Sequence, residues 1–563
     1  MLALDQSLMG PLKKPPCFQM IQRTVATSKE ITLLSKNCKT VHQLKQLHAH
    51  LLETNQPRNL FAIAPLLNAA ATSNNASFFS YARWVFGRLC HRNTFIYNSM
   101  VRGYMQMNLP TDAVFCYLDM LNCGFEANNY TFPPLIKACK ILVSSASCVK
   151  NSIGHVVHGH AVKFGFGCDP FVLSALIELY SSVHEIETAR KLFDSSFERD
   201  VVVWTAMVDG YGKVGNVESA RKLFEKMPER NTISWSAMMA AYSRDSNFNE
   251  VLCLFRRMQE VGTRPNESAL VSVLTACAHL GTVTQGWWVH SYAKCYRLVS
   301  NPILATALVD MYSKCGYVDS ACSVFDGIYD KDAGAWNAMI SGVAMNGDAR
   351  KSLELFNQMI ASGTQPTETT FVALLTACTH ARMVKEGVKL FEEMGSVYGV
   401  EPKLEHYACV VDLLARAGLV EEAEKFIEEK IGGFEGGDAN VWGALLGACR
   451  IYGNVEFGNR VWKKLADMGI ADYGTHLLSY NIYREAGWDT EAKRVRKLIS
   501  EVGMKKKPGC SVIEVNGAVE EFLAGDFYHP QAPEIYKMLD SFSKLVNLEE
   551  LLQFYTISLA KIS

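Results

Sequence analysis

The chain contains no Cys-x-x-Cys and no His-x-Glu, so the ligand spacings with which a zinc deaminase activates water are missing. No phosphate-cradling glycine loop and no Ser–His–Asp order stands out. No run of about 18 uncharged apolar residues occurs, which excludes a simple membrane-spanning helix. An excess of charge is lacking too: the formal net charge is -1 and the isoelectric point about 6.9. That excludes an indiscriminate basic nucleic-acid coat but leaves room for a local basic groove. Cysteine is not scarce, at 17 residues, yet its placement excludes a metal or disulfide framework. Cys139, Cys277, Cys378 and Cys449 stand in KAC, TAC, TAC and GAC, where they read as small buried apolar residues in a reducing compartment. His155, His158 and His160 in GHVVHGHAVK read as helix-surface and groove residues rather than metal ligands.

What the chain has in abundance is itself, repeated. YNSMVRGY at 97–104 returns as WTAMVDGY at 204–211, WSAMMAAY at 235–242 and WNAMISGV at 336–343. Segments 201–231 and 302–332 are units of 31 residues, and 94–128, 232–266, 267–301 and 333–367 are units of 35. A period of this size is that of a solenoid, whose core grows one repeat at a time. The 563 residues therefore do not translate into the usual count of globular domains. A composition of 49% apolar and 20% charged residues is that of a folded chain.

Within unit 201–231, Trp204, Met207, Val208 and Tyr211 recur at helical spacing on one face, and a second helix follows that buries Ala220, Leu223 and Phe224. Gly215, Gly281, Gly316, Gly347, Gly418 and Gly453 share the intervening turn, where a residue without Cβ can take positive φ. Phe193, Phe255, Phe325, Phe356 and Phe391 match Phe224 as core residues. The expected fold is all-α, a right-handed superhelical solenoid of helix-turn-helix repeats with a small, partly β C-terminal extension. Residues 1–39 are expected as a transit peptide and disordered leader, and 40–93 as degenerate N-terminal repeats. The main array covers 94–436, further helical repeats 437–505, a β-containing segment 506–540 and an atypical tail 541–563. In the β-containing segment, Val512–Val515 and Val519–Phe522 read as a hairpin turning at Asn516-Gly517.

The helix pair, the AR-x-LF motifs and the RPN unit ending together resemble plant organellar pentatricopeptide repeat proteins of the PLS subfamily, in which three unit types cycle. The C-terminal PGCSVIEV…HP is similar to the E and E+ extensions of that subfamily, and the following DYW deaminase domain is not expected here. The resemblance covers about 40–540. It implies sequence-specific binding of single-stranded organellar RNA, most often as the site-recognition factor for cytidine-to-uridine editing. It implies no enzyme activity and no cofactor or metal in this chain. The deaminase, a DYW-type protein, or other editing-complex proteins would act in trans, and no membrane is involved. The compartment implied is the mitochondrion, with the chloroplast as alternative.

The resemblance also assigns residues. One base per unit is read by the fifth residue of the first helix with the last residue of the unit. The pairs are Asn98 with Asn128, Ser174 with Asp200, Thr205 with Asn231, Ser236 with Asn266, Thr306 with Asp332, and Asn337 with Thr367. Short polar side chains of this kind can offer a donor and an acceptor to a base edge. The second residue of a unit packs between bases, which assigns Phe95, Phe171, Val202, Ile233 and Ile303. Ser268 and Gly334 are poor packing residues at that position, and Thr367, in place of Asp, Asn or Ser, implies weak discrimination. The implied target, 5′ to 3′, is Y-N-G-A-A-N-G-Y-N-N-N-N-N-C, with the final C edited. A non-editing role in transcript stabilisation, splicing or translation, or a protein-binding helical scaffold, are the alternatives. Small polar pairs, cycling units and an E-like tail favour the editing adaptor over both.

Overall fold

The computed structural model describes residues 28–53, 60–89, 91–144, 151–196, 199–430, 439–467, 469, 473–501, 510–515, 518–523 and 531–544. The chain divides into two compact units, Met1–Ser246 and Asn247–Ser563. The first contains α1 (Ser28–Asn37), α2 (Val41–Glu53), α3 (Leu60–Ala71), α4 (Ala76–Arg88), α5 (Thr94–Gln106), α6 (Pro110–Asn122) and α7 (Phe132–Ser144). It continues with α8 (Asn151–Lys163), α9 (Pro170–Ser182), α10 (Ile186–Ser195), α11 (Val201–Lys213), α12 (Val217–Lys226) and α13 (Thr232–Arg244). The second begins with α14 (Phe248–Glu260), α15 (Glu267–Leu280), α16 (Val283–Cys295), α17 (Pro302–Lys314), α18 (Val318–Asp326), α19 (Ala333–Met345) and α20 (Ala349–Ala361). There follow α21 (Glu368–Ala381), α22 (Val384–Ser396), α23 (Leu404–Arg416), α24 (Val420–Lys430), α25 (Ala439–Tyr452), α26 (Val455–Asp467), α27 (Tyr473–Glu485) and α28 (Asp489–Glu501). The strands β1 (Cys510–Val515) and β2 (Ala518–Leu523) follow as an antiparallel hairpin with Val515 opposite Ala518, as expected from their alternation, and residues 532–544 form a last helix. The expected turn Asn516-Gly517 and the tail beyond 544 lie outside the described residues.

The all-helical repeat fold is the one its period dictates. α1 lies inside the segment expected as leader. It packs on α3, with Ile31 buried, so the helical array starts before Thr40. First helices of successive repeats stack directly on one another, α7 on α9 on α11 on α13, and likewise α15 through α27 in the second unit. Within each compact unit most second helices pack on the first helix of their own repeat and on that of the next. One consequence departs from the sequence reading. A first helix does not bury a single face: in α11, Val203, Thr205, Met207, Val208, Gly210, Tyr211 and Gly212 are all buried, because neighbours cover it on both sides. The second helices keep the ordinary amphipathic pattern, as with Val217, Ala220, Leu223 and Phe224 in α12.

All six anticipated turn glycines have φ between 67° and 90°. Where the turn lacks glycine, Asn108, His184, Ser246 and Arg382 adopt the same left-handed conformation. The matched core residues Phe193, Phe224, Phe255, Phe325, Phe356 and Phe391 are all buried. Phe193, Phe224 and Phe325 each meet the Trp of the next first helix edge-on, with ring centroids 4.9 Å apart in all three cases. The four cysteines of the x-A-C motifs are buried, and burial pushes the thiols of Cys139 and Cys449 up to about 12 and that of Cys378 up to about 11. These are inert apolar groups at neutral pH.

Candidate nucleic-acid interface

The last residue of a repeat has a structural duty that the sequence reading did not assign to it: it caps the next first helix. Asp200 Oδ1 accepts from the Val203 N–H at 2.9 Å, Asn231 Oδ1 from Ser234 at 3.0 Å, Asn266 Oδ1 from Ala269 at 2.9 Å, and Asp332 Oδ1 from Ala335 at 2.8 Å. A helix start leaves backbone donors unpaired, and Asp or Asn satisfies one of them. Capping by itself therefore favours Asp and Asn at this place. Only one oxygen is spent on the cap, so the second carboxylate oxygen of Asp200 and Asp332 remains for another partner.

In two of these repeats an arginine with its own task stands just before the cap. Arg199 donates to the carbonyls of Phe193 and Asp194, both at 2.9 Å, and lies over the Phe193 ring at 4.7 Å. Arg230 repeats this on Phe224 and Glu225, at 2.9 and 2.8 Å, with 5.1 Å to the Phe224 ring. Each guanidinium closes the carbonyl end of a second helix, where positive charge is favoured.

Fifth residues behave in two ways. The hydroxyls turn back on their own helix: Thr205 Oγ1 donates to the Val201 carbonyl at 2.6 Å, Ser236 to Thr232 at 2.7 Å and Ser174 to Phe171 at 3.0 Å. With that proton committed, what each hydroxyl offers outward is a lone pair. The asparagines instead reach across to the end of their unit. Asn98 Nδ2 donates to Asn128 Oδ1 and Asn337 Nδ2 to Thr367 Oγ1, both at 2.9 Å. So the structure brings Asn98 to Asn128 and Asn337 to Thr367. No described hydrogen bond joins Ser174 to Asp200, Thr205 to Asn231, or Thr306 to Asp332. Thr306 is half-buried. Ser236 and Asn266 belong to different compact units, the first buried on α13 and the second at the start of α15.

Second residues are the exception to burial. Phe95, Phe171, Val202, Ile233 and Ile303 are between 45% and 70% exposed, on helices otherwise enclosed by their neighbours. Residues two and five of a helix lie on one side, three positions apart. An apolar side chain held in solvent at the same place in five repeats is not packing anything within the fold. Tyr130 shares this position and this exposure in unit 129–169, and the sequence reading passed over it. Counting two residues from the unit start would have found it.

The histidines need correction. His158 and His160 are half-buried connectors between repeats, not free surface or groove groups. His160 Nδ1 lies 3.0 Å from the Tyr117 hydroxyl. His158 Nδ1 lies 2.8 Å and His155 Nδ1 3.1 Å from the Tyr180 hydroxyl, which donates to one and accepts from the other. The same pairing joins His48 to Tyr81 at 2.7 Å and His290 to Tyr312 at 2.8 Å. Burial lowers the pKa of His48, His158 and His290 and pushes the Tyr81 and Tyr180 hydroxyls up to about 12.

These features define a helical-repeat protein in which most repeats carry a polar pair, and several an exposed apolar residue, in constant register. Sequence comparison places it more narrowly. The PPR repeat model matches 95–125, 202–232, 233–263, 304–331, 369–396 and 405–431, the PPR repeat family model 331–380, and the E motif model 452–514. The putative pentatricopeptide repeat-containing protein At5g59200, chloroplastic, of Arabidopsis thaliana is 40% identical, over 94% of this chain and 94% of its own. The pentatricopeptide repeat-containing protein At2g22410, mitochondrial, of the same plant is 40% identical over 81% of this chain and 66% of its own. The crystal structure of the pentatricopeptide repeat protein PPR10 in complex with an 18-nt psaJ RNA element is similar at 16% identity and a TM-score of 0.45, covering 84% of each chain. The chain belongs to the pentatricopeptide repeat family and carries an E motif.

Proposed function

We propose that this chain binds single-stranded RNA in a sequence-specific manner, one base per repeat, with Phe95, Tyr130, Phe171, Val202, Ile233 and Ile303 packing between bases. The carrying observation is the row of exposed apolar second residues three positions from the polar fifth residues. Bases offer an apolar face and a polar edge, and this register supplies a partner for each. A duplex hides those edges, so duplex RNA binds far more weakly. The base-reading pairs are those assigned from the sequence: Asn98/Asn128, Ser174/Asp200, Thr205/Asn231, Ser236/Asn266, Thr306/Asp332 and Asn337/Thr367.

Within that reading the chain is a PLS-type specificity factor for cytidine-to-uridine editing in an organelle. The mitochondrion is the first assignment and the chloroplast the second. Its E-type C-terminal region recruits a DYW-type deaminase in trans. Exposed Lys493, Arg494, Arg496 and Lys497 on α28 supply phosphate contacts next to that region. The test is selection from a random single-stranded RNA pool by the purified full chain, repeated with Thr306→Asn. The expected result is the motif Y-N-G-A-A-N-G-Y, with the preference for G at the seventh position relaxed or switched in the variant. Equal recovery of all four bases at every position would sink RNA reading. An unchanged G preference in the variant would sink the register.

A further inference from the structure

The two asparagine-reading repeats are not equivalent, and a buried hydroxyl from the following repeat makes the difference. In unit 333–367, three side chains close a ring. Asn337 Nδ2 donates to Thr367 Oγ1 at 2.9 Å, and Thr370 Oγ1 donates to Asn337 Oδ1 at 2.6 Å. The Thr367 and Thr370 hydroxyls lie 3.2 Å apart, and the Thr367 N–H donates to Thr370 Oγ1 at 2.9 Å. Proton counting closes the ring. Thr370 spends its hydrogen on Asn337, so the Thr367 hydroxyl donates to Thr370 and accepts from Asn337. Thr370 is fully buried, so water does not compete for these bonds. Reversing every donor round the ring would satisfy the same atoms with the amide turned over, so the ring fixes the place of the Asn337 amide rather than its sense. In either sense one Nδ2 hydrogen is left over.

In unit 94–128 the corresponding hydroxyl, that of Thr131, is aimed elsewhere. Asn128 Oδ1 collects three donors: Asn98 Nδ2 at 2.9 Å, the Tyr130 N–H at 3.1 Å and Thr131 Oγ1 at 3.1 Å. Asn98 Oδ1 has no partner although Asn98 is only 2% exposed. The same residue types thus form two different circuits. Both circuits need a Thr at the third place of the next repeat, where the other repeats of the array have Ile, Val, Leu, Ala, Ser or His.

We infer that Thr370 is a specificity-positioning residue of this protein, which fixes the base-reading Asn337 in place from the neighbouring repeat. This rests on the RNA-binding reading above and adds a third determinant to the pair Asn337/Thr367. It also reverses one expectation: Thr367 does not make this repeat a weak discriminator, because Thr370 supplies the rigidity that Asp or Asn would otherwise provide.

The test is random-pool selection of single-stranded RNA with the full chain in four forms: unaltered, Asn337→Ser, Thr370→Val and Thr370→Ser. Asn337→Ser marks which nucleotide the repeat reads. At that nucleotide, Thr370→Val is expected to cut the discrimination between best and worst base by roughly three- to tenfold, the worth of one neutral hydrogen bond. Thr370→Ser keeps the hydroxyl and retains the preference. Preferences at all other nucleotides stay unchanged in both, which a general loss of folding would not allow. Full discrimination in Thr370→Val overturns the inference. So does equal loss at every position, or a marked nucleotide with no preference in the unaltered chain. Absence of any sequence preference in the unaltered chain fails the RNA reading itself.

Discussion

Two glycines that sit inside helices show how closely neighbouring repeats approach. A Cβ on Gly210 would stand 2.3 Å from Ser181 Oγ, and one on Gly342 would stand 2.2 Å from Ser313 Oγ. Neither glycine has positive φ, so the requirement is space between stacked first helices, not backbone freedom. Gly210→Ala is therefore expected to destabilise by about 1–3 kcal/mol, the usual cost of overpacking. Ser181→Gly in the same chain is expected to return most of it, because Ser181 supplies the atoms in the way. Thermal melts of the single and double variants check this; a double variant no better than Gly210→Ala would refute the contact. At the same scale, capping explains why Asp and Asn end the repeats, and on the function proposed above an RNA base meets only the oxygen or amide that the cap does not use.

At the scale of elements, the His–Tyr bonds tie one repeat's helix to its neighbour's, and they respond to pH. His158 has its pKa lowered by burial first and by His155 second, while Tyr180, His155 and Glu185 are the titratable groups around it. An imidazole that binds its proton less readily when folded stabilises the fold above the unfolded pKa of about 6.5. That contribution is lost as pH falls from there toward the folded value. The full chain should therefore melt at a lower temperature at about pH 5.5 than at about pH 7.5, and His158→Asn, whose amide oxygen can accept from Tyr180, should show a smaller drop. Equal drops in both chains would remove His158 from the account. His48 and His290 add to the effect in the same direction, since burial lowers both.

For the molecule as a whole, stability is a sum of repeats and of the contacts between neighbours. Phe224 is buried, meets Trp235 edge-on and lies under Arg230, so it joins one repeat to the next. Phe224→Ala should cost about 3–5 kcal/mol. In a chain of this kind the loss stays local. Amide hydrogen exchange should quicken in α11, α12 and α13 while α5 and α19 keep their protection. Uniform loss of protection throughout would mean that the array melts as one cooperative body.

The sequence by itself determined whatever depends on near neighbours along the chain. The period, the left-handed turn at Gly215 and its counterparts, the six matched core Phe residues of the second helices and the β1–β2 pairing all follow from local spacing and backbone sterics. So did the exposed second residues, though only through likeness to a family, since Phe95 or Ile233 in isolation reads as one more buried apolar residue. The tertiary structure alone decided the bonds made between repeats. Asn98 meets Asn128 across 30 positions and Thr370 meets Asn337 across 33, and each bond depends on how two stacked helices align their side chains. The same holds for Tyr180 between two histidines. A repeat pattern says that helices stack; which hydroxyl points at which amide is set by packing geometry on the scale of a single hydrogen bond.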